Sequence, residues 1–369
     1  GGCRRPGWRQ VTDRGRWRFW RTLARGKEEV EAAMSTRNRI ITTVDSHTAG
    51  ECTRLVTSGL PPLRGATMAE KLAFAEQELG WLPGFLLLEP RGHKDMFGAI
   101  LTPPCSDEAE IGAVFMDNQG YEPMCGHAVI GAATTVLETG VAAGEEPERV
   151  VVLDTPSGLV RAEASREDDG VTSVSFVNVP AFVYRTDVAI QIPEVGKLTI
   201  DVVFGGLFFA FVDARQIPLR LTPSNASPLA DLGMKILSAA NEVVEVRHPE
   251  LPHIDRMIDV RFYGEPMSQG ADGRNVVILG DHMVDRSPCG TGTSAETALR
   301  HARGQLDVGE SFVTESIIGT RFTGECVAET TVGDFSAVIP RITGRAHITG
   351  YHRFVLDPHD PFPNGFRLG

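Results

Sequence analysis

The sequence predicts an α/β protein built from two similar halves, on three observations. Short runs rich in Val, Ile and Phe recur along the chain and are bounded by Gly, Pro or Asp, which is typical of strands. Helical periodicity is confined to a few segments. Two of these begin with the dipeptide Cys-Gly, at Cys125 and at Cys289, and each carries a stripe of small apolar residues. We therefore expect two central helices, each lying close against the strands of a mixed sheet that wraps it.

Ten short segments are predicted to be strands. They are residues 39–45, 84–90, 111–117, 149–155, 171–179, 198–204, 207–213, 258–264, 274–280 and 345–350. Helices are predicted over residues 68–80, which end on a glycine suited to stop a helix, and over residues 227–244. No short internal repeat is visible, which argues against a solenoid.

The two Cys-Gly segments have the strongest helical pattern. Residues 125–140 place apolar side chains at helical spacing and end on a glycine. Residues 289–304 follow the same period, and within them Thr293 and Glu296 have the spacing of a capping box. Both segments are expected to start at their cysteine.

Charge and cysteine usage exclude several classes of protein. A net charge of −12 argues against nucleic acid or an anionic membrane surface as the main partner. No apolar run approaches the roughly 18 residues that a membrane span needs. The six cysteines are widely spaced and form no CxxC pair, which suits neither a zinc site nor a disulfide framework. We expect reduced thiols and a cytoplasmic location.

Residues 1–37 differ from the rest of the sequence. Up to residue 33 they carry eight Arg and one Lys against four acidic residues, with no apolar h-region, so a secretory signal is not expected. A basic targeting arm is one alternative, and a disordered or non-native leader is the favoured expectation. We predict a first α/β half over residues 38–187 and a second over residues 188–349. Residues 350–369 are expected to pack back on the first half.

The paired Cys-Gly motifs suggest proton-transfer chemistry. A helix N-terminus presents unpaired N–H groups and partial positive charge, which bind an anion and favour a thiolate over a thiol. Two such starts facing each other would place one thiol on each side of a pocket, as removal of a proton from one face of a carbon and delivery to the other requires. Asp285 is placed to bind an ammonium group. The candidate donors to a carboxylate are the N–H groups of Gly126, His127, Gly290 and Thr291.

Each of these residues also has a structural interpretation. A buried cysteine is usually a small apolar residue, Asp285 could cap a turn, and His127 could cap a first helical turn. His93 and Asp95 invite a metal hypothesis, but a polar turn is favoured and no metal is expected. A hydrolase interpretation of Ser46 and its neighbouring histidine lacks the required context. The repetition of Cys-Gly at two helix starts is what favours catalysis.

Long stretches of the sequence resemble the proline racemase family, which includes 4-hydroxyproline epimerases and trans-3-hydroxyproline dehydratases. The resemblance rests on "MCGHAVIGAATTVLETG", "DRSPCGTGTSA", "VDSHTAGE", "EPRGHKDMFGAIL" and "LDPHDPFPNGF", and extends from about residue 39 to the C-terminus. It implies two α/β halves arranged as in diaminopimelate epimerase, with the active site between them. It also implies a homodimer, a small-molecule substrate, and catalysis without pyridoxal phosphate or metal.

The same resemblance implies roles for individual residues. Cys125 and Cys289 match the two acid/base thiols, and the four N–H donors above match the carboxylate-binding positions. Asp285 and His127 match residues around the amino group, and Phe97 matches an aromatic against the ring.

Two positions bear on the subfamily. Dehydratases of the family replace the second cysteine with threonine, so Cys289 favours racemisation or epimerisation. Proline racemases resembling this chain have a second ring-contacting Phe where this sequence has Leu279, so 4-hydroxyproline remains open as a substrate. The expected function is a cofactor-independent proline racemase. The alternatives are a 4-hydroxyproline 2-epimerase and a non-catalytic thiol redox or binding protein.

Overall fold

The computed structural model describes residues 39–144, 146–167, 170–193, 195–251, 254–357 and 359–368. The predicted leader, residues 1–37, lies outside these residues. The strands are β1 (Arg39–Thr48), β2 (Glu51–Ser58), β3 (Phe97–Thr102), β4 (Ile111–Met116), β5 (Tyr121–Glu122), β6 (Glu148–Thr155), β7 (Gly158–Glu167), β8 (Gly170–Val177), β9 (Ala181–Ile192), β10 (Gly196–Phe204), β11 (Phe208–Asp213), β12 (Met257–Gly264), β13 (Gly273–Leu279), β14 (Met283–Val284), β15 (Ser311–Glu315), β16 (Arg321–Val332), β17 (Phe335–Gly344) and β18 (Ala346–Leu356).

The α-helices of the described residues are few. They are α1 (Met68–Glu78), α2 (Leu82–Leu87), α3 (Gly126–Glu138), α4 (Ala226–Val243) and α5 (Gly290–Ala302). None of these helices is long and apolar enough to cross a membrane.

Strands β9 to β13 and β15 to β17 close into a barrel around α5. Most neighbours are antiparallel, while β11 pairs in parallel with β12, and β13 with β15. The barrel closes where Ala337 of β17 pairs with Phe182 of β9. Helix α5 is buried from Gly290 to Leu299 inside this barrel. The amphipathic helix α4 packs against β9 and β12.

A second set of strands wraps α3. It runs from β18 through β1, β2, β3, β4, β6 and β7 to β8, with parallel pairs between β2 and β3 and between β4 and β6. Helix α3 is buried from Gly126 to Leu137 and contacts β1, β2, β8 and β18. Its small side chains, such as Ala128, Ala132 and Ala133, are fully buried and let the strands approach closely. The chain therefore has a mixed α+β fold with a strand barrel and few helices.

The prediction of a strand over residues 84–90 was wrong, because that segment lies largely in helix α2. Its apolar side chains Leu82, Phe85 and Leu86 are fully buried, and a short apolar run does not by itself distinguish a buried strand from a buried helix. Pro83 lies in the first turn, where its missing N–H removes no helical hydrogen bond.

The predicted capping box in α5 does not form. The helix begins at Gly290 with Cys289 as its N-cap, so Thr293 lies inside the helix and its Oγ1 donates to the carbonyl of Cys289 at 2.7 Å. The carboxylate of Glu296 binds the buried guanidinium of Arg261 instead. Nine strands of the described residues were not predicted from the sequence, namely β2, β3, β7, β9, β15, β16, β17 and the two-residue strands β5 and β14.

Candidate active site

The N-termini of α3 and α5 are in direct contact. A Cβ atom placed on Gly126 would lie 2.9 Å from the Cα of Gly290, and one on Gly290 would lie 2.9 Å from the Cα of Gly126. Glycine is what permits two backbones to approach this closely. Because Cys125 and Cys289 are the N-cap residues of the two helices, the structure brings the two Cys-Gly motifs together.

The two thiols have different surroundings. Cys125 has an extended backbone with a φ of −144°, and its Sγ lies 3.4 Å from Nδ1 of His127. Cys289 has a φ of 65°, in the left-handed region that residues other than glycine rarely adopt. Its Sγ accepts a hydrogen bond from the N–H of Gly292 at 3.3 Å and lies 3.5 Å from Oγ1 of Thr291. Both sulfur atoms thus lie at the N-termini of their helices.

Burial raises the pKa of both thiols above its usual value. For Cys125 the N–H of Ala128 opposes this effect and the negative charge of Asp285 adds to it. For Cys289 the charge of Asp285 again adds to it, while Arg261 opposes it. The helix N-termini were expected from the sequence to favour thiolates, but burial and the nearby carboxylate outweigh their effect on the pKa of both thiols.

Amide donors converge at the contact between the two helices. The first two residues of each helix supply them, namely Gly126, His127, Gly290 and Thr291. The first four N–H groups of a helix have no partner within it, and they carry the positive end of its dipole. An anion such as a carboxylate can therefore bind between the two helix starts.

Asp285 is the charged group that both thiols share. Its side chain is 2 % exposed, and its Oδ1 accepts the N–H of Ser287 at 2.7 Å. Its charge acts on Cys125, His127 and Cys289. A carboxylate in this position can hold a cationic group between the two helix starts.

His127 is fixed by contacts on both its backbone and its ring. Oγ1 of Thr48 donates to its carbonyl at 2.8 Å, and the ring hydrogen-bonds the backbone of Cys52. Burial lowers the pKa of His127, although the charge of Asp285 partly opposes this, so the imidazole is neutral at neutral pH. The Phe97 ring meets it edge-on, with centroids 4.7 Å apart.

Leu279 lies at the end of β13 and packs, partly buried, against the apolar cluster that includes Cys289. On the neighbouring strand β12, Val260 pairs with Ile278, which puts Asp259 at the level of Leu279. Asp259 is 1 % exposed, and neither of its carboxyl oxygens has a hydrogen-bond partner among the described residues. Burial raises the pKa of Asp259 well above its usual value.

Several acidic residues around the site were not predicted from the sequence to belong to it, although Asp95 had been considered as a metal ligand. Glu51 accepts the N–H of Arg286 at 2.6 Å, and Asp95 forms an ion pair with the guanidinium of Arg286 at 2.8 Å. Burial raises the pKa of Glu122 to about 8. The sequence gives no signal for Asp259 or Glu122. Glu51 ends the "VDSHTAGE" stretch, in which the serine and the histidine had suggested only a hydrolase.

The metal hypothesis for His93 gains no support from the geometry. Nδ1 of His93 accepts the N–H of Asp95 at 3.3 Å, as in the polar turn that was favoured. No group of three or more His, Cys, Asp or Glu side chains within the described ranges is arranged to hold a metal ion.

A cleft runs beside the two helix starts. Met124, which precedes Cys125, forms part of its wall, and so does Gly206, which lies against the side chain of Thr291. The other lining residues include Ser157, Val179, Phe204 and His248.

A family profile, related sequences and solved structures all match this chain to the same family. The proline racemase family profile matches residues 43–367. A proline racemase of Clostridioides difficile is 49% identical over 331 residues, which cover 90% of this chain and 99% of that protein. A crystal structure of a hydroxyproline epimerase from Agrobacterium vitis, with bound trans-4-hydroxy-L-proline, superposes with a TM-score of 0.84 at 37% identity and covers 90% of this chain and 96% of that one.

More distant structures share the fold alone. A Bacillus anthracis protein of the PhzF family, involved in phenazine biosynthesis by its name, is 13% identical with a TM-score of 0.57, covering 85% of this chain and 99% of that one. The match of sequence and structure across nearly the whole described chain shows that this chain belongs to the proline racemase family.

Proposed function

We propose that this protein is a proline racemase that interconverts L- and D-proline by two-base proton transfer, without an organic cofactor or metal. The observation that carries the proposal is the contact of two Cys-Gly helix starts, with Asp285 beside both thiols. The relatives named proline racemase support the same substrate. The acid, the base and the anion-binding groups that the reaction needs are all supplied by the chain itself.

The amide groups of the two helix starts would bind the proline carboxylate. As the α-proton leaves, charge flows into the carboxylate, and preorganised N–H donors stabilise that charge in the transition state. The low exposure of the site keeps water away, so these interactions act at low dielectric. Phe97 and Leu279 would pack against the ring of the substrate.

Cys125 and Cys289 would act as the two acid/base groups. One enters the reaction as a thiolate and removes the α-proton, while the other enters as a thiol and delivers its proton to the opposite face of the α-carbon. The product leaves the two sulfurs with their protonation states exchanged, which prepares the site for the reverse direction.

Asp285 would bind the ammonium group, with the neutral His127 beside it. In this structure the charge of Asp285 raises the pKa of both thiols. A substrate cation at Asp285 would offset that charge and lower the pKa of the thiol that must ionise. Substrate binding itself would therefore favour the reactive thiolate.

We also propose two pseudo-symmetric halves, residues 38–187 and 188–349, with residues 350–369 returning to the first. The order of elements supports two such halves: β1 to β4, the short β5, α3 and β6 to β8 correspond to β10 to β13, the short β14, α5 and β15 to β17. Both proposed boundaries fall within a strand, since residue 188 lies in β9 and residue 350 in β18. In both series the second strand is parallel to the third, and the fourth strand is parallel to the first strand after the Cys-Gly helix. Strand β18 pairs with β1 as β9 pairs with β10.

A homodimer in the cytoplasm is proposed on the family resemblance. The cysteines of the described residues are all free thiols, which supports a reducing compartment. Light scattering of the purified protein tests the dimer, and a mass of one chain would contradict it.

A second candidate is 4-hydroxyproline 2-epimerase, favoured by the pair of Leu279 and Asp259. Leucine is smaller than the phenylalanine of the similar racemases, and the unpartnered carboxyl of Asp259 at the same level offers a hydrogen-bond partner to a ring hydroxyl. Measuring kcat/KM for L-proline and for trans-4-hydroxy-L-proline separates the two substrates. A preference for proline supports the racemase, and a preference of tenfold or more for hydroxyproline would replace it.

Isotope exchange tests the chemistry directly. L-proline and D-proline are incubated separately with the protein in D₂O, and the expected result is α-deuteration together with optical rotation that converges to zero from both sides. Retained rotation with both proline and hydroxyproline would exclude the enzyme and leave the non-catalytic thiol protein.

A further inference from the structure

Glu51 is a fully buried carboxyl group at the start of β2. Its Oε2 accepts the N–H of Arg286 at 2.6 Å, and its carboxyl hydrogen-bonds the side chain of Asp285. An ionised carboxylate only accepts hydrogen bonds, so two carboxyl groups bond to each other only when one of them carries a proton. The contact therefore requires one shared proton.

Of the two carboxyl groups, Glu51 is the one that carries this proton. Burial, followed by the negative charge of Asp285, raises the pKa of Glu51 well above its usual value, although Arg286 opposes this effect. The guanidinium of Arg286 lowers the pKa of Glu51 less than a free cation would, because it is paired with Asp95. Asp285 then accepts the hydrogen bond from Glu51, and its negative charge acts on both thiols.

The same short segment also holds His127. The ring of His127 bonds the backbone of Cys52, which follows Glu51, and Thr48 holds the His127 carbonyl from the other side of the turn. Both groups proposed to surround the substrate ammonium are thus fixed by the β1–β2 hairpin.

The hairpin is pressed against the part of the chain that carries Asp285. A Cβ on Gly50 in its turn would lie 2.5 Å from Cδ1 of Ile318 and 3.6 Å from Cβ of Arg286. The turn adopts a φ of 99° at Gly50, which glycine tolerates without strain. This close packing fixes the position of Glu51 next to Asp285 and Arg286, in the loop before α5.

We propose that Glu51 is a positioning residue, a protonated carboxylic acid that donates a hydrogen bond to Asp285 and aims that carboxylate at the substrate ammonium. The inference rests on the proposed function, since it assigns the ammonium to Asp285. Glu51 itself touches no reacting atom.

Two variants of Glu51 test whether its carboxyl group is protonated and donates a hydrogen bond, or is ionised and only accepts. Glu51→Gln keeps a neutral side chain with an N–H that can donate to Asp285 and an oxygen that can accept from Arg286. It gives up only the acceptor for the N–H of Cys52, which lies 3.2 Å from Oε1, so it should preserve KM for L-proline within about threefold. Glu51→Ala removes the donor to a charged group, so it should raise KM about tenfold or more, with a smaller change in kcat. The matched control is Glu138→Gln, because Glu138 likewise accepts a backbone N–H, that of Val171, at 2.6 Å, at the far end of α3. The control should leave both constants unchanged.

An infrared difference spectrum reports the proton independently of turnover. The wild-type protein minus Glu51→Gln at neutral pH should show the carbonyl band of a protonated carboxylic acid. A carboxylate signal in its place, or a Glu51→Gln variant as impaired as Glu51→Ala, would overturn the inference. Absence of racemisation by the wild-type protein would instead defeat the proposed function, while the infrared result would still decide whether Glu51 is protonated.

Discussion

Cys289 occupies a backbone conformation that most residues avoid, at the point where its sulfur faces the opposing helix start. A left-handed φ at a residue other than glycine costs on the order of 1–3 kcal/mol and persists only where the surroundings impose it. Here the surroundings are the buried Arg261, which donates to the carbonyl of Pro288 at 2.9 Å, and the N–H of Gly292, which donates to Sγ. Cys125 lacks this strain, so the two thiols are not equivalent although they begin similar helices.

Replacing either cysteine with serine tests the two-thiol assignment. Because a hydroxyl is a far weaker acid than a thiol, Cys125→Ser and Cys289→Ser should each lower kcat/KM for both proline enantiomers by about 10³-fold, within the range that general acid–base groups contribute. The exposed Cys105 supplies the control, and Cys105→Ser should leave the rates unchanged. A single-site variant of either N-cap cysteine with full activity would refute the assignment.

At the scale of elements, the sequence predicted the four longest helices because their apolar stripes have a clear period. The candidate site was predictable for the same reason, since Cys125, Cys289 and their amides lie at the starts of two such helices. The supporting carboxyl groups were not predictable, because Glu51 and Asp259 lie in strands and become relevant only through long-range pairing. Strand β16 was missed as well, because Gly324, Glu325 and Glu329 interrupt its apolar pattern, although they pair with β17, the next strand along the chain.

The contact of α3 with α5 predicts the effect of adding one methyl group. Gly126→Ala would place a Cβ 2.9 Å from the Cα of Gly290 and 3.2 Å from Cζ of Phe176, so the two helix starts must separate. A displacement of about 1 Å can cost about 100-fold in rate, and we expect a loss of kcat/KM of that order. Steady-state assays on both enantiomers measure it.

Gly264→Ala is the control for this substitution. Its new Cβ would first meet a side-chain atom, Cβ of Ala214, at 3.3 Å, at the end of β12 rather than between the helices. It should change kcat/KM by less than about threefold, since no backbone is displaced at the helix starts. If Gly126→Ala were as active as this control, the close approach of the helices would have no part in catalysis.

For the whole molecule, the two strand systems are joined through β17. This strand pairs with β9 to close the barrel and with β8 of the other set of strands. The candidate site takes one thiol from each system, so its geometry depends on both being folded. The stability of the fold should depend on pH, because burial raises the pKa of the carboxyl groups of Glu51, Glu122 and Asp259.

Glu122 gives that dependence a testable sign. Burial raises its pKa to about 8 from an ordinary value of 4.5. Between these two pH values the folded protein holds a proton that the unfolded chain has released, so the stability contributed by this group falls as pH rises. The contribution is complete below pH 4.5 and lost as pH passes about 8. Glu122→Gln has no proton to lose and should lack this component.

Calorimetric melting of both proteins between about pH 5 and 9 measures the effect, since a change in bound protons appears as a shift in Tm with pH. The Tm of Glu122→Gln minus that of the wild-type protein should increase steadily up to about pH 8 and then level off. This difference cancels the titration of groups that do not interact with Glu122. Asp259 and Cys125 are not among them, because the charge of Glu122 raises the pKa of both. A difference that is constant across the range would show that Glu122 is already ionised in the folded protein at neutral pH.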